Sequence, residues 1–294
     1  MRLSRIDLLL LATLAVVVGA VAVPMLARTR RAGDPIADAN DLAAIHKACT
    51  LHADAHGGEW PRPSVAMAAS GTPERALDHT LDTTANTLSL LLAGRGVAAA
   101  QLVSRSERNP IVRALEYDFA RVNAANQTLW DPGFKTELDK PPGEGVCHTS
   151  YAHLALCGER LSRWRSSAGA ETPLVGDRGT WRGTRRGKLW AKSYTLGRHG
   201  QPEAVWAGNL TFGDGHVALL TSFTPDGVRW GCGTIAPRKD NLFDCEFNQL
   251  DCTNALLDGR AAGDAWLCIA DRMEGPNDFA VDVKERLVDG TAPR

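Results

Sequence analysis

The sequence lacks the features by which several large classes of protein are usually recognised. Neither sign of charge is in excess, because 33 basic residues stand against 34 acidic ones, and this balance gives no indication of nucleic-acid binding. No two cysteines form a C-x-x-C pair, which argues against a zinc ribbon or a thioredoxin-like site. No serine lies in a G-x-S-x-G elbow, and no histidine pair forms H-E-x-x-H. The sequence therefore predicts no catalytic site.

Cysteine itself is not lacking, because the chain has seven, four of them in its last quarter. In an oxidising compartment we expect two bridges in that last quarter and a local bridge between Cys147 and Cys157. The disulfide candidates are Cys147, Cys157, Cys232, Cys245, Cys252 and Cys268. This usage predicts that the bulk of the chain lies outside the cytoplasm.

The N-terminal segment from Leu8 to Ala27 contains no charged side chain. A run of roughly 20 apolar residues is long enough to cross a bilayer as a helix. Two interpretations remain open: a retained anchor, or a secretory signal peptide cleaved after Ala20-Val21-Ala22. We favour the anchor, with membrane lipid as a partner and a single-pass inner-membrane location whose head lies in the periplasm or cell envelope.

The beginning of this segment resembles the N-terminal helix of type IV prepilins and type II secretion pseudopilins. Asp7 stands where that family has a glutamate just inside the apolar run, and Pro24 stands at the family's proline. Arg2 takes the place of the glycine that precedes the cleavage site. The resemblance implies that Asp7 and Pro24 serve anchoring and assembly, with other pilin-like subunits or secretion machinery as partners.

Residues 35 to 56 predict an amphipathic helix. Asp34 is the expected N-cap before Pro35, and Leu42, Ile45, Cys49 and Ala53 form one apolar stripe. The following stretch, Leu51 to Pro61, resembles the helix end of a pilin-like group abundant in planctomycetes. His46, His52 and His56 suggest a metal face by residue type, but we expect exposed polar residues.

The string from Asn209 to Thr221 predicts a β-hairpin, because alternating apolar residues flank a G-D-G turn. It resembles the F-x-D-G-H-V box that ends the pilin-like domain of the same group. The residues that match this box are Asn209, Phe212, Asp214, Gly215, His216 and Val217. We expect Asp214 and His216 to form a structural turn and not an acid–base pair.

Two further segments have a competing functional interpretation. Between Arg178 and Lys192 lie six basic residues with Trp181 and Trp190 among them, and we expect a solvated loop without nucleic acid. The C-terminal region clusters four weak calcium candidates, which are Asp240, Asp244, Glu246 and Asp251. A solvated acidic loop is the expected structure there, so no cofactor is predicted.

These observations predict an α+β fold in which a long N-terminal transmembrane helix packs on an antiparallel sheet, with helical insertions. The expected domains are an anchor over 1–31, a pilin-like head over 32–221 and a cysteine-containing C-terminal extension over 222–294. The predicted function is that of a membrane-anchored pilin-like envelope protein, non-catalytic, with a structural, assembly or adhesive role. The alternatives are a secreted soluble binding protein and, with less support, a secreted hydrolase.

Overall fold

The computed structural model describes residues 35–70, 77–123, 128–184, 192–232, 235–245, 256–257, 260–261, 264–273 and 280–282. Its first helix, α1, covers residues 35–55. The predicted apolar stripe is buried, since Leu42, Ile45 and Ala53 are inaccessible to solvent. The helix ends where Gly57 and Gly58 take positive φ angles of 67° and 87°, a conformation that glycine adopts without strain.

None of the helices within the described ranges is long and apolar enough to cross a bilayer. The helix that meets the sheet is α1, and it carries the charged residues Asp38, Asp41 and Lys47. The predicted transmembrane helix packed on the sheet is therefore wrong, and the single-pass inner-membrane location is corrected with it. Asp7, Pro24 and the apolar run between them lie outside the described residues.

Two short helices follow α1, namely α2 at Pro63–Ala69 and α3 at Thr84–Ala93. Thr83 caps α3, because its side chain accepts a hydrogen bond from the Asn86 N–H at 3.2 Å. Single 3₁₀ turns occupy His79–Leu81, Ala99–Leu102, Phe119–Arg121, Gly158–Arg163 and Trp181–Gly183. The helical insertions predicted for the head are thus two short helices and several 3₁₀ segments.

The centre of the fold is a five-stranded antiparallel sheet in the order β4-β3-β2-β1-β9. Its strands are β1 (Tyr151–Leu154), β2 (Pro173–Asp177), β3 (Gly208–Phe212), β4 (Val217–Leu220) and β9 (Leu267–Cys268). Every residue of β1, β2 and β3 is buried, so both faces of the sheet are covered. The α+β class and the antiparallel sheet agree with the prediction.

One face of the sheet carries the helices. The amide of Asn209 in β3 donates to the Pro35 carbonyl of α1 at 2.8 Å, and His153 in β1 contacts Thr84 of α3. On the opposite face, Trp206 packs against Phe223 and Phe243 with ring centroids 5.1 and 5.3 Å away. A single apolar core therefore continues through the sheet.

Described parts of the C-terminal segment pack on the head. Strand β9 joins the main sheet by pairing with β1, and Phe223, Leu242 and Trp266 belong to the same apolar core. The other strands form two-stranded ribbons: β5 (Arg229–Cys232) with β6 (Ile235–Lys239), β7 (Leu256–Leu257) with β8 (Arg260–Ala261), and β10 (Ala270–Met273) with β11 (Ala280–Asp282).

Cys49, Cys147, Cys157, Cys245 and Cys268 form no disulfide, so the predicted bridges and the oxidising compartment inferred from them lose their support. Cys147 and Cys157 are both thiols, so the local bridge predicted between them is not formed. Cys245 and Cys268 are also thiols. Cys232 ends β5, and Cys252 lies outside the described residues.

His153 is buried at the centre of the sheet in its neutral form. One ring nitrogen, Nδ1, lies 2.8 Å from the Leu154 carbonyl, and the other, Nε2, lies 2.9 Å from the Thr84 hydroxyl. The Leu154 carbonyl can only accept, so Nδ1 carries the proton and Nε2 accepts from the Thr84 hydroxyl, which itself accepts the Ala270 N–H at 2.7 Å. Burial lowers the pKa of His153 to about 4, with the Leu154 carbonyl opposing the shift.

We therefore expect His153 to weaken the fold in acid. As the pH falls from about 6.5 to 4, the unfolded chain takes up a proton at this position and the folded chain does not, which removes about 3 kcal/mol of stability. Urea unfolding of wild type and His153→Gln across this range checks it. The stability difference between the two proteins must shrink as the pH falls, and a difference that stays constant contradicts the assignment.

Candidate functional site

The most concentrated set of titratable side chains among the described residues lies where α1 meets the end of β2. Asp38 belongs to α1, Asp177 is the last residue of β2, and Arg198 and His199 lie in the loop before β3. Arg198 Nη2 is 2.7 Å from Asp177 Oδ1, and His199 Nε2 is 2.9 Å from Asp177 Oδ2. All four side chains are buried.

Asp38 is the second carboxylate of this cluster. Its Oδ2 accepts the Ser104 hydroxyl at 2.5 Å and lies 3.5 Å from His199 Nε2 and 3.7 Å from Arg198 Nη2. Burial and the charge of Asp177 raise the pKa of Asp38 to about 6, and the contacts with Ser104 and Arg198 oppose that rise. Asp38 is therefore the carboxylate whose ionised form is less stabilised by its surroundings.

Asp177 has the opposite shift. Burial alone would raise its pKa, but Arg198, His199 and the Asn209 N–H, at 2.8 Å, together lower it. A second buried pair, Arg178 with Glu107, lies alongside; burial opposes the shift there too, yet Arg178 and Arg198 lower the pKa of Glu107 to about 2. Two guanidinium groups thus hold two carboxylates ionised inside the protein.

The loop that delivers Arg198 and His199 is strained. His199 has a φ of 53°, which is uncommon for a residue with a side chain, and Gly197 and Gly200 on either side have φ angles of 66° and 76°. The backbone therefore turns sharply to place both side chains on one carboxylate. The contacts with Asp177 offset the strain at His199.

By residue type the cluster could hold a metal ion, because one ligand atom from each of Asp38, Asp177 and His199 lies within 4.8 Å of the others. Arg198, however, already places its positive charge between the two carboxylates. The hydroxyl of Tyr151, Nδ1 of His199 and Nη1 of Arg198 are buried without a hydrogen-bond partner in the described part of the chain. Such atoms usually bind ordered water.

The chemistry of this arrangement is that of a clamp. Ser104, Asp38 and His199 include the residue types of a nucleophile and its base, but the serine contacts the aspartate and not the imidazole. All three side chains are buried. The cluster fastens α1 and the 197–200 loop to the end of β2.

The two carboxylates of the clamp should respond differently to removal of their charge. Asp177→Asn leaves Arg198 buried beside a neutral partner and should cost about 3–5 kcal/mol at neutral pH. Asp38→Asn should cost clearly less, because a carboxyl with a raised pKa is already disfavoured in its ionised form. Chemical denaturation of both variants at pH 7 measures the contrast.

The pH dependence of stability tests the raised pKa of Asp38. As the pH rises from about 4 to 6, the wild type loses about 3 kcal/mol through ionisation of Asp38, and Asp38→Asn does not. The variant must therefore gain stability relative to wild type across that range. Equal losses for the two substitutions, or parallel pH profiles, contradict the assignment.

The hairpin predicted at the F-x-D-G-H-V box is present as β3 and β4, joined by the turn 213–216. Gly215 has a φ of 87°, and Asp214 accepts from His216 through its backbone N–H at 3.1 Å and lies 2.5 Å from its ring Nδ1. The His216 ring stacks on Phe212 at 4.4 Å. The turn meets α1, because His46 Nε2 lies 3.3 Å from the Gly213 carbonyl.

The remaining sequence-predicted candidates fall in two places, the acidic C-terminal segment and the end of α1. Asp240 is buried and accepts the Ala265 N–H at 2.6 Å, whereas Asp244 is partly exposed, 4.0 Å from Arg182. Glu246 and Asp251 lie outside the described residues, so the set of four weak calcium candidates stays untested. His52 and His56 stack on each other with ring centroids 3.9 Å apart.

An open groove is the second candidate site. It has a volume of about 730 Å³ and is lined by Trp181, Arg182, Gly183, Thr184, Ser222, Phe223, Thr224, Asn241 and Asp244. Of these residues the sequence singles out Trp181 and Asp244, without relating them, and it does not indicate Asn241, Ser222 or Thr224. In the sequence, the signal for this groove is a tryptophan followed by arginine and glycine, Trp181-Arg182-Gly183.

Comparison with protein-family models finds no match for this chain, and neither the comparison with curated proteins nor that with solved structures gives a significant one. The pilin-like resemblance is therefore untested and stays a prediction. The transmembrane helix and the disulfides predicted from the sequence are contradicted, and a role in secretion has no support.

Proposed function

We propose that this chain is a non-catalytic structural protein that works by assembly, as the pilin-like resemblance implies. The buried cluster around Asp177 supports this proposal. Its charged side chains contact one another and are not accessible from the surface, so they stabilise the packing of α1 on the sheet. The observation that carries the proposal is the edge of the main sheet formed by β4.

The two edges of the sheet are built differently. Strand β9 is two residues long, both buried, and its Leu267 N–H donates to the Leu242 carbonyl at 2.7 Å. Strand β4 is four residues of apolar type, Val217–Leu220, and among the described strands only β3 pairs with it. Proteins usually protect such an edge with charge, proline or a bulge, and β4 has none of them.

The side chains beside this edge are apolar and accessible. Leu219 is 46% exposed and pairs with Asn209, so both side chains lie on the helix face of the sheet. Asn209 donates to Pro35, and the next residue of α1, Ile36, is 67% exposed. Leu219 and Ile36 therefore mark the same corner of the molecule.

A second copy of the chain is the occupant that fits this edge. Antiparallel pairing of β4 with its own copy is self-complementary about a two-fold axis, and the strand carries no charge that would meet its like. The pairing satisfies the outer backbone groups of β4 and covers Leu219. The assembled unit would be a sheet continuous across two copies.

A charge on this edge should separate the copies. We expect Leu219→Lys to shift the protein from dimer towards monomer in light scattering coupled to size exclusion, with a dissociation constant raised about tenfold or more. Leu77→Lys is a matched control, because Leu77 is also 46% exposed. Both substitutions should change the free energy of unfolding by less than about 0.5 kcal/mol. A monomeric wild type, or equal effects of the two lysines, would contradict assembly through β4.

A further inference from the structure

The groove at Trp181 has the dimensions of a ligand site and a rim of mixed polarity. Its volume of about 730 Å³ falls in the range of roughly 300–1,000 Å³ typical of sites for small molecules. Trp181 is 40% exposed, and the Arg182 guanidinium stands over one face of its ring, 4.9 Å from the centroid. Around this platform stand the side chains of Ser222, Thr224 and Asn241.

The loop that carries the platform is held in an unfavourable backbone conformation. Arg182 has φ 55° and ψ 26°, in the left-handed region that residues with side chains rarely adopt. Gly183, with φ 50°, packs against Asn241 so closely that a β-carbon would lie 2.1 Å from its Oδ1. The Asn241 amide in turn donates to the Arg182 carbonyl at 3.3 Å. The strained backbone at Arg182 places its side chain beside that of Trp181.

The rim offers both donors and acceptors around an aromatic face. Arg182 and Asn241 donate, Asp244 accepts, and the hydroxyls of Ser222 and Thr224 do both. An aromatic ring attracts the weakly positive C–H face of a pyranose, and the surrounding polar groups match its hydroxyls. We propose that this groove binds an uncharged glycan, with Trp181 as the stacking platform.

The charges at the groove favour a neutral ligand over a nucleic acid. Among the described lining residues the one guanidinium is that of Arg182, and the Asp244 carboxylate lies 4.0 Å from its Nε. A phosphate backbone would meet that carboxylate, whereas single-stranded nucleic acid is bound in grooves of net positive charge. The glycan proposal is independent of assembly through β4, so either can fail alone.

Calorimetric titration of the full chain with chitohexaose, cellohexaose and maltohexaose tests the proposal. We expect at least one of them to bind with a dissociation constant between about 10 µM and 1 mM, as is usual for an open groove. Trp181→Ala should weaken that binding about tenfold or more, and Trp181→Phe should retain most of it. Phe119→Ala, at an aromatic residue of similar exposure in another place, should leave binding unchanged.

Two further measurements separate glycan from nucleic acid. Glycan binding should be insensitive to salt and weakened by Asp244→Asn, which loses a charged acceptor. An oligothymidylate bound more tightly after Asp244→Asn, and released as salt rises, would replace the glycan with nucleic acid and overturn the proposal. It is also overturned when none of the three sugars binds at about 5 mM, or when Trp181→Ala binds as well as wild type while its circular dichroism is native.

Discussion

The buried carboxylate of Asp177 holds together the elements on the helix-bearing face of the sheet. Its carboxylate receives Arg198 at 2.7 Å, His199 at 2.9 Å and the Asn209 N–H at 2.8 Å. These partners come from the strained loop before β3 and from β3 itself, and the same Asn209 holds the first turn of α1 through Pro35. A charge buried in this way is tolerated because its partners are charged or well-aligned donors. The position of α1 follows from this one carboxylate.

Asp38 differs in kind although it lies in the same cluster. It belongs to the buried stripe of α1, where an apolar residue would cost nothing to bury, and its pKa is raised where that of Asp177 is lowered. Removing both charges in favour of apolar residues could leave stability unchanged, since buried ion pairs often contribute little net energy. What the cluster adds is specificity: α1 fits the sheet in one register, with Asp38 against Ser104 and the 197–200 loop.

The sequence was sufficient where local chemistry decides structure. The hairpin at 209–221 follows from its turn residues, and the stripe of α1 follows from periodicity. The clamp could not be predicted, because Asp38, Asp177 and His199 are distant in sequence and meet only after the sheet has formed. An acidic residue four positions before Leu42, on the apolar stripe, was the one available signal. Strand β9 was equally inaccessible, since two residues carry no periodicity. The disulfide prediction failed because the number of cysteines does not show whether any two of them lie close enough to form a bridge.

The C-terminal segment shows the same use of buried charge on the other side of the core. Arg160 follows β1 and pairs with Asp264, while Asp240 accepts the next backbone N–H, that of Ala265. These contacts bring 264–268 alongside β1, where β9 completes the sheet and covers one of its edges. With that edge closed, the two proposed contacts with other molecules fall on β4 and on the groove at Trp181. Recognition as proposed therefore depends on apolar and aromatic surface and on backbone, and not on the charges buried at Asp177 and Asp264.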